Sequence, residues 1–486
     1  MGQALDRVRE RVKASESALV DVASRLLSFD SVRPEQPVDG DSLGPGLRAC
    51  LECAAQECRK RGMTVRVHEG QVAVAELGRG EENVGVAVHL DVVPAAGEWT
   101  HPPFGGDVAD GCVWGRGAQD NKGPLASVLI ALDAIAAEDL PFRRRVTLIL
   151  GTDEETGLWR DLAAFHRNEP MPTMTIVPDG TFPIVQAEKG FANITVRAEA
   201  GAAHRGACEG APTLLSLAAG ERINIVPAEA EAVVSGLGAH YLGLRANAFH
   251  DSRPGSRLTV TAHGGRVRVG AEGVPAHAST PERGRSALLD LVDFLAPEPL
   301  AANGPAAALW FLVRLIGRDL NGEKLGVFAH DDFMGYCTVC AAKVLADIDG
   351  RSTLHLNLRP VREQTLSGVL TAVRERAEDL GRGLGARFDV TLDSTSREPM
   401  YVDPESELVR ELSAAYGDVM GEPGGCVSIG GTTFAKAFAN ATAFGPVMPG
   451  AEELAHQADE RVAVSELVRN SMIYAAAIVR LACAVN

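Results

Sequence analysis

The chain has 486 residues, too many for one ordinary domain, so we expect two compact units or one large unit with an insertion. Hydrophobic residues make up 46% and charged residues 23%, proportions that indicate a soluble globular protein and exclude a disordered or fibrous chain. Lys and Arg number 47 against 64 Asp and Glu, and the resulting net charge of −17 makes nucleic acid and anionic lipid surfaces poor partners.

The sequence pattern also carries no signal for export or membrane insertion. The first residues, MGQALDRVRERVK, are amphipathic and charged and lack the apolar segment of a signal peptide. No run approaches 18 uninterrupted apolar residues, so no membrane span is predicted. The 9 Cys are an odd number, and without an export signal reduced thiols are the default. These features predict a cytoplasmic protein.

The first part of the chain, residues 1–189, alternates helical and strand-like patterns. Helical runs cover 3–27, 44–62 and 123–138, and apolar strand-like runs cover 64–68, 71–76, 84–90, 145–151 and 174–178. Strands that alternate with helices predict an α/β fold with a mixed, largely parallel sheet flanked by helices. No GxGxxG or Walker pattern opens any of these helices, so nucleotide binding has no support.

Residues 190–395 have a different character. They contain short alternating runs, FANITVRAEA, SRLTVTAHG, RVRVGAEG and STLHLNLRPV, with helical segments at 283–296, 305–319 and 363–381. This pattern predicts an inserted α+β domain. From 396 to 486 the helical runs return, at 404–419 and 463–482, and complete the first domain.

Two CxxC spacings, Cys50/Cys53 and Cys337/Cys340, could each supply half of a structural zinc site or a redox pair. The first lies in a helical run and the second in a strand-like run, and nothing in the sequence pairs them. We therefore expect these cysteines to behave as buried small apolar residues.

Three apolar strand patterns end in acidic residues. VGVAVHLDVVP ends in His89 and Asp91, which are two residues apart and so point to the same face of a strand. RRRVTLILGTDEETG ends in the neighbours Glu154 and Glu155, so one carboxylate can bind a metal while the other activates a water. MTIVPDG ends in Asp179. Open α/β sheets place their sites at these strand ends.

Two further segments offer metal ligands. Asp120 lies in the glycine-rich run GCVWGRGAQDNKG ahead of an apolar helix, and His456 lies in PGAEELAHQADE. If the five acids Asp91, Asp120, Glu154, Glu155 and Asp179 converge, their charges would repel one another unless cations are present. Two divalent ions nearly cancel five negative charges, and oxygen and nitrogen ligands suit zinc.

Each motif also has an ordinary interpretation. His89 and Asp91 could be a strand-edge histidine and a solvated acid, Asp120 only a helix N-cap, and the DEE triplet a solvated loop. Eight other histidines lack such a setting and are expected to be surface or core residues: His68, His166, His204, His240, His250, His263, His330 and His355.

The five motifs HLDVVP, GRGAQDNKG, GTDEETG, VPDG and AHQADE, in this order, resemble the M20 family of di-zinc aminoacylases and peptidases. The runs EWTHPPFGG, DEETGLWRDL, VPDGTFPIVQAEKG, ERINIVPAEAE and SIGGTTFAKAF are similar to its PepV-type dipeptidases. The resemblance covers nearly the whole chain. It implies a zinc-peptidase-like catalytic domain made of residues 1–189 and 396–486, with a lid domain at 190–395.

The resemblance also implies a role for each metal-site residue. Asp120 would bridge two Zn²⁺ ions, for which Mn²⁺ or Co²⁺ could substitute. His89 and Asp179 would complete one site, and Glu155 and His456 the other. Asp91 would orient His89 as an outer carboxylate. Glu154 would be the general base.

Residues of the lid and of one glycine-rich loop are implied to contact substrate. His277 in GVPAHAST would donate to the oxyanion, Asn224 in ERINIVP would lie near the substrate, and Arg359 in LNLRPV would bind the substrate carboxylate. Arg359 could instead form a surface salt bridge. Gly430, Gly431 and Thr432 would line the substrate pocket. The long lid favours a monomer over a homodimer.

The sequence departs from the family pattern at two positions. Asp459 stands where relatives often have Asn, and Asn121 where many have Asp. Neither is an implied ligand, so metal binding should survive, while substrate preference is less constrained.

We therefore predict a metal-dependent dipeptidase that acts on small peptides with a free N-terminal amine. A deacylase of N-acyl amino acids, of the desuccinylase or deacetylase type, is the alternative with the same chemistry. A non-catalytic binding protein has no need of Glu154, and a scaffold with cysteine zinc sites rests only on the CxxC spacings.

Overall fold

The computed structural model describes residues 2–200, 210–350 and 352–484. Two compact units make up the chain. The first contains Met1–Ala187, Tyr401–Ser428 and Thr433–Asn486, and the second contains Glu188–Met400 and Ile429–Thr432.

The helices are numbered in chain order. They are α1 (Gly2–Ala14), α2 (Glu16–Leu27), α3 (Gly44–Lys60), α4 (Lys122–Ala136), α5 (Arg160–Asn168), α6 (Ala239–Ser252), α7 (Ala287–Leu295), α8 (Gly304–Phe311), α9 (Leu366–Leu384), α10 (Glu407–Met420) and α11 (Val464–Ala482).

The strands are numbered in the same way. They are β1 (Thr64–His68), β2 (Val72–Leu77), β3 (Asn83–His89), β4 (Val108–Ala109), β5 (Cys112–Trp114), β6 (Arg145–Gly151), β7 (Met174–Val177), β8 (Ile184–Glu188), β9 (Ala192–Ala200), β10 (Thr213–Ala219), β11 (Glu229–Ser235), β12 (Arg257–His263), β13 (Arg266–Glu272), β14 (His330–Asp331), β15 (Gly335–Tyr336), β16 (Thr338–Asp347), β17 (Ser352–Arg359), β18 (Ala386–Leu392), β19 (Met400–Tyr401), β20 (Cys426–Ile429), β21 (Ala441–Ala443) and β22 (Arg461–Ala463).

The first unit is built on a mixed sheet with the strand order β1-β2-β6-β3-β7-β21-β8-β19, and β20 pairs with β8. The central strands β6, β3, β7 and β21 run parallel, while β1 and β2 join antiparallel at one side. Every residue of β3 is buried, which matches the unbroken apolar run that predicted it. The predicted α/β class with a largely parallel, helix-flanked sheet is confirmed.

Helices of the first unit bury their apolar faces in one core. α4 is buried along nearly its whole length and packs against α2, α11 and β3. The predicted helix over 3–27 is two helices, because Ser15 leaves helical geometry. The hydroxyl of Ser15 donates to the Arg11 carbonyl, a local bond that competes with the helical pattern.

The second unit is built on an antiparallel sheet with the strand order β12-β13-β11-β10-β16-β17-β9-β18. Helices α7, α8 and α9 bury apolar residues in its core. The predicted helix over 305–319 is α8 followed by a π-helical turn at Leu312–Ile316. Helix α6 was not predicted, because only Leu242 and Ala246 are buried and the apolar period is weak.

Among the described residues, none of the helices combines the length and the apolar character that crossing a membrane requires.

Candidate metal centre

Parallel strand order brings three of the predicted segments to one edge of the first unit's sheet. Strand β3 lies between β6 and β7, and His89 at the end of β3 pairs with Gly151 at the end of β6. The loops that follow β3, β6 and β7 carry Asp91, then Glu154 and Glu155, then Asp179. These acids therefore start from neighbouring carboxyl ends, as expected for an open α/β sheet.

Asp120 lies between two imidazoles. Its Oδ1 is 2.8 Å from Nε2 of His89, and its Oδ2 is 3.1 Å from Nε2 of His456. The interpretation of Asp120 as the N-cap of α4 is wrong, because Asn121 occupies that position. The side-chain amide of Asn121 donates to the Pro178 carbonyl at 2.5 Å, next to Asp179.

Each imidazole has a second carboxylate close by. Nε2 of His89 is 3.8 Å from Oδ2 of Asp179, and Nε2 of His456 is 3.1 Å from Oε1 of Glu155. One ligand atom from each of His89, Asp120 and Glu155 fits within 4.8 Å of the others. The geometry thus divides into two groups that share the Asp120 carboxylate.

The electrostatics of this cluster fit divalent cations. Burial, and then the charge of Asp179, raises the pKa of Glu154 well above its usual range. Burial, and then the charge of Asp120, raises the pKa of Glu155. Partial desolvation lowers the pKa of His456, whose side chain is 52% exposed, but hydrogen bonds with Asp120 and Glu155 outweigh it and raise that pKa to about 11. The carboxylates of the cluster are close enough to repel one another unless protons or cations bind, and its nitrogen and oxygen donors suit zinc.

Asp91 contacts two predicted ligands, the main chain of Glu155 and the imidazole of His89. Its side chain is fully buried, and Oδ2 accepts the main-chain N–H of Glu155 at 3.0 Å. Nδ1 of His89 lies 2.9 Å from the main-chain carbonyl of Asp91 and 3.6 Å from its Oδ1. Asp91 therefore holds His89 mainly through its carbonyl, whereas its carboxylate holds the loop of Glu155.

The DEE triplet is not a solvated loop, because Asp153 is fully buried. Its carboxylate accepts Nε of Arg160 at 2.7 Å and lies 3.2 Å from Nε of Arg33. Asp161 accepts the main-chain N–H groups of Thr152 at 2.6 Å and Asp153 at 3.1 Å. Sequence reasoning missed Asp161 and the two arginines, since nothing in their local pattern indicates contacts with this loop.

The predicted substrate residues of the second unit form their own group. The N–H of Ala278 donates to the carbonyl of Asn224 at 2.8 Å, which brings the Asn224 and His277 segments side by side. Nδ1 of His277, an exposed residue, is 2.6 Å from Oγ of Ser279. A Cβ on Gly430 would lie only 2.8 Å from Cβ of Ser279, so the loop Gly430–Gly431–Thr432 approaches this segment closely.

Arg359 is almost fully buried in the same unit. Its Nη1 donates to the Gly430 carbonyl at 2.9 Å, its Nε donates to Oδ1 of Asn357 at 3.0 Å, and its guanidinium lies 4.5 Å from the centre of the Phe191 ring. Burial lowers the pKa of Arg359 to about 10. Within the described ranges no carboxylate pairs with it, so the surface salt bridge considered for Arg359 is wrong.

The cysteines and the other histidines form no second metal cluster in the part of the chain that the structure describes. Cys50, Cys337 and Cys340 are buried free thiols, and Cys53 is half-buried. Of the eight histidines expected to be non-ligands, His204 lies outside the described residues.

The chain is similar to known proteins over most of its length. The family model described as "Peptidase family M20/M25/M40" matches residues 85–480. The chain is 30% identical over 478 residues to "Putative dipeptidase YtjP" of Bacillus subtilis (strain 168), a match that covers 97% of this chain and 99% of that protein. A "Putative dipeptidase" of Staphylococcus epidermidis (strain ATCC 12228 / FDA PCI 1200) is 28% identical over 477 residues, with the same two coverages.

Solved structures share the fold. Human carnosine dipeptidase 1 matches with a TM-score of 0.55 and 17% identity, over 98% of this chain and 99% of that chain. Aminoacylhistidine dipeptidase from Vibrio alginolyticus matches with a TM-score of 0.55 and 14% identity, over 94% of this chain and 96% of that chain.

Proposed function

The chain belongs to the M20/M25/M40 peptidase family, and from that premise we propose that it hydrolyses dipeptides with a free N-terminal amine. The position of Asp120 carries this proposal. Its two carboxylate oxygens each face a histidine, and each histidine has one further carboxylate within 3.8 Å or less. The relatives named as dipeptidases support the same substrate class.

We propose that this cluster holds two divalent cations, with zinc as the native metal and manganese or cobalt as substitutes. Asp120 would contact both cations, His89 and Asp179 would complete one site, and Glu155 and His456 the other. When bound, the two cations would polarise the scissile carbonyl and lower the pKa of the attacking water. Asp91 would keep His89 and the Glu155 loop in place through the contacts described above.

Glu154 is the proposed general base. Burial and the charge of Asp179 raise the pKa of its carboxyl group, which brings its basicity closer to that needed near neutral pH. It would take the proton from the attacking water and pass it to the amine that leaves. Its neighbour Glu155 contacts His456, so we assign metal binding to Glu155 and proton transfer to Glu154.

The second unit is proposed as the lid that binds the rest of the substrate. Arg359 is a buried guanidinium with no carboxylate partner among the described residues, and such a charge is stabilised by an incoming anion. It would bind the C-terminal carboxylate of the dipeptide. His277 would donate to the oxyanion, while Asn224 and the loop Gly430–Gly431–Thr432 would contact the substrate backbone.

Compartment and assembly are proposed from the described cysteines and from the length of the second unit. The free thiols among the described cysteines support a reducing compartment such as the cytoplasm. The second unit spans more than 200 residues of the chain, and a lid of that size supports a monomer. Sedimentation at micromolar concentration checks this, and a dimer would contradict it.

The test of the proposed function compares one dipeptide with the same dipeptide N-acylated. The protein is stripped with a chelator and reloaded with zinc, manganese or cobalt. Metal-dependent cleavage of the free dipeptide alone is expected. Cleavage of only the acylated compound would assign the protein to the deacylases, and no cleavage with any metal would contradict catalysis.

A further inference from the structure

The buried carboxylate of Glu460 has no role in the function proposed above. Glu460 is 0% exposed and lies four residues after His456. Its neighbour Arg116 is 1% exposed and donates from Nη1 to Oε2 of Glu460 at 2.6 Å. A buried ion pair is costly unless further hydrogen bonds satisfy its atoms, so the other contacts of Glu460 decide what it does.

Those contacts are the main-chain N–H groups of the loop that carries Asp120. Oε2 of Glu460 also accepts the N–H of Gly117 at 3.1 Å. Oε1 accepts the N–H of Gln119 at 2.9 Å and that of Asp120 itself at 3.2 Å. One carboxylate therefore receives four donors, and the last of them belongs to the residue that faces both histidines.

The side chain of Glu460 accepts hydrogen bonds from the residues that follow the end of a main-chain ladder. Strand β22 pairs with β5 from Ala463↔Cys112 to Arg461↔Trp114, and the Gly115 N–H donates to the Glu460 carbonyl at 2.9 Å. Beyond Gly115 the loop turns away from strand geometry. The carboxylate of Glu460 follows the loop and keeps it joined to the segment that carries His456.

A second link lies on the other side of His456. Gln119 donates from Nε2 to the Glu452 carbonyl at 3.1 Å, and its Oε1 accepts the N–H of Leu454 at 2.8 Å. The segment 452–460 is thus bound to the Asp120 loop both before and after His456. The two links join the segments whose residues Asp120 and His456 lie 3.1 Å apart.

We propose that Glu460 is a positioning residue that fixes the Asp120 loop relative to His456, with Gln119 as its partner. This role rests on the proposed function, because the position matters only if both residues bind metal. Metal sites tolerate little displacement of their ligands, and loss of an outer partner typically costs about 10–100-fold in metal affinity.

Because four N–H donors point at the side chain of residue 460, only a carboxylate can accept all of them. The amide of a glutamine side chain has one acceptor oxygen and one NH₂ donor group. In either orientation, the NH₂ group that Glu460→Gln introduces would face two N–H donors, either those of Arg116 and Gly117 or those of Gln119 and Asp120. The substitution therefore keeps the volume of the side chain and opposes two of the four contacts.

The experiment measures metal binding rather than turnover. Metal-free protein is titrated with zinc against a chromophoric chelator, and with cobalt followed by its visible absorption spectrum. For Glu460→Gln we expect zinc affinity to fall at least tenfold and the cobalt spectrum to change, since both report ligand geometry. The matched control is Glu57→Gln, which removes another buried glutamate of the same unit, paired with Arg61 at 2.7 Å and Arg25 at 2.6 Å.

The control should lose stability without a change in zinc affinity or cobalt spectrum. Gln119→Met keeps the side-chain volume and removes the second link, so it should also weaken zinc binding. If Glu460→Gln does not fold, this variant tests whether the links position the Asp120 loop. Wild-type affinity and spectrum in the folded variants, or an equal loss in Glu57→Gln, would overturn the role of Glu460. A wild-type protein that binds no metal would overturn the proposed function itself.

Discussion

At the scale of single residues, the candidate site is a small set of charges that are balanced only in the presence of protons or cations. Asp120 faces two imidazoles, and hydrogen bonds with His456 and His89 outweigh burial and lower its pKa. The acids beside it have raised pKa values because they are buried and close to one another. Single substitutions here should therefore separate metal binding from proton transfer.

Replacing the proposed base tests that separation. Glu154→Ala should lower turnover by about 10²–10⁴-fold, because general base catalysis contributes that much. Metal content should remain at the wild-type value, since Glu154 is not a proposed ligand. Steady-state kinetics and elemental analysis of the same preparation measure both quantities, and a variant that loses its metal would contradict the role of Glu154.

Replacing the buried guanidinium tests substrate recognition. Arg359→Met should lower kcat/KM for a dipeptide about 10–100-fold, because a charge-assisted hydrogen bond contributes about 1.5–3 kcal/mol. For the corresponding dipeptide amide, which lacks the carboxylate, the variant and the wild type should differ little. Arg314→Lys, at an arginine stacked on Trp310 in the same unit, is the control and should leave both substrates unchanged. An equal loss for both substrates would show that Arg359 does not bind the carboxylate.

At the scale of elements, the apolar runs and their acidic ends predicted much of the site. Runs such as 145–151 gave the strand bounds, and the parallel order of β3, β6 and β7 explains why His89, Glu155 and Asp179 begin at one edge. The approach of Asp120 and His456 followed only from the family resemblance, because spacing along the chain does not show which loops meet. Pairs such as Asp153 with Arg33 were unpredictable for the same reason.

The end of β6 provides a test of how tightly the loop of Glu154 is packed. A Cβ on Gly151 would lie 2.5 Å from the Phe434 ring and 2.6 Å from Oδ2 of Asp161. Gly151→Ala should therefore cost about 1–3 kcal/mol in the free energy of unfolding and should also reduce turnover, since Asp161 holds the loop before Glu154. Gly425→Ala, in open space in the same unit, should change stability by about 0.5 kcal/mol or less. Urea unfolding compares the two, and equal effects would refute the packing argument.

At the scale of the whole molecule, the first unit gathers its site from segments far apart in the chain, with the second unit inserted between them. Metal binding, proton binding and folding of the first unit are therefore linked. Hydrogen bonds with Asp120 and Glu155 raise the pKa of His456 to about 11, so its proton contributes stability below the unfolded pKa of about 6.5, and that contribution is lost as pH rises toward 11. Because the His456 side chain is 52% exposed, solvent screens this contribution.

This linkage predicts the pH dependence of metal binding. Each proton that a cation displaces should raise metal affinity by about tenfold per pH unit, so zinc should bind more tightly at pH 8 than at pH 6. Calorimetric titration in two buffers of different ionisation enthalpy counts the protons released. Adding a chelator should lower Tm, because a ligand at 100 times its Kd stabilises the fold by about 2.7 kcal/mol. Metal affinity independent of pH would contradict the competition of protons and cations for these ligands.

Strand β21 lies between β7 and β8 in the sheet of the first unit, yet it comes from residues 441–443. A ribosome that adds about 5–20 residues per second needs about 15–60 s to pass from Glu155 to His456, which are 301 residues apart. During that interval the nascent first unit lacks an internal strand and one of its two site histidines. The eight-stranded sheet of the second unit, from β9 to β18, is synthesised in full before β21 exists. The inserted segment Glu188–Met400 can therefore begin to fold on the ribosome, while the unit that surrounds it in sequence cannot be completed until β21 and His456 have been synthesised.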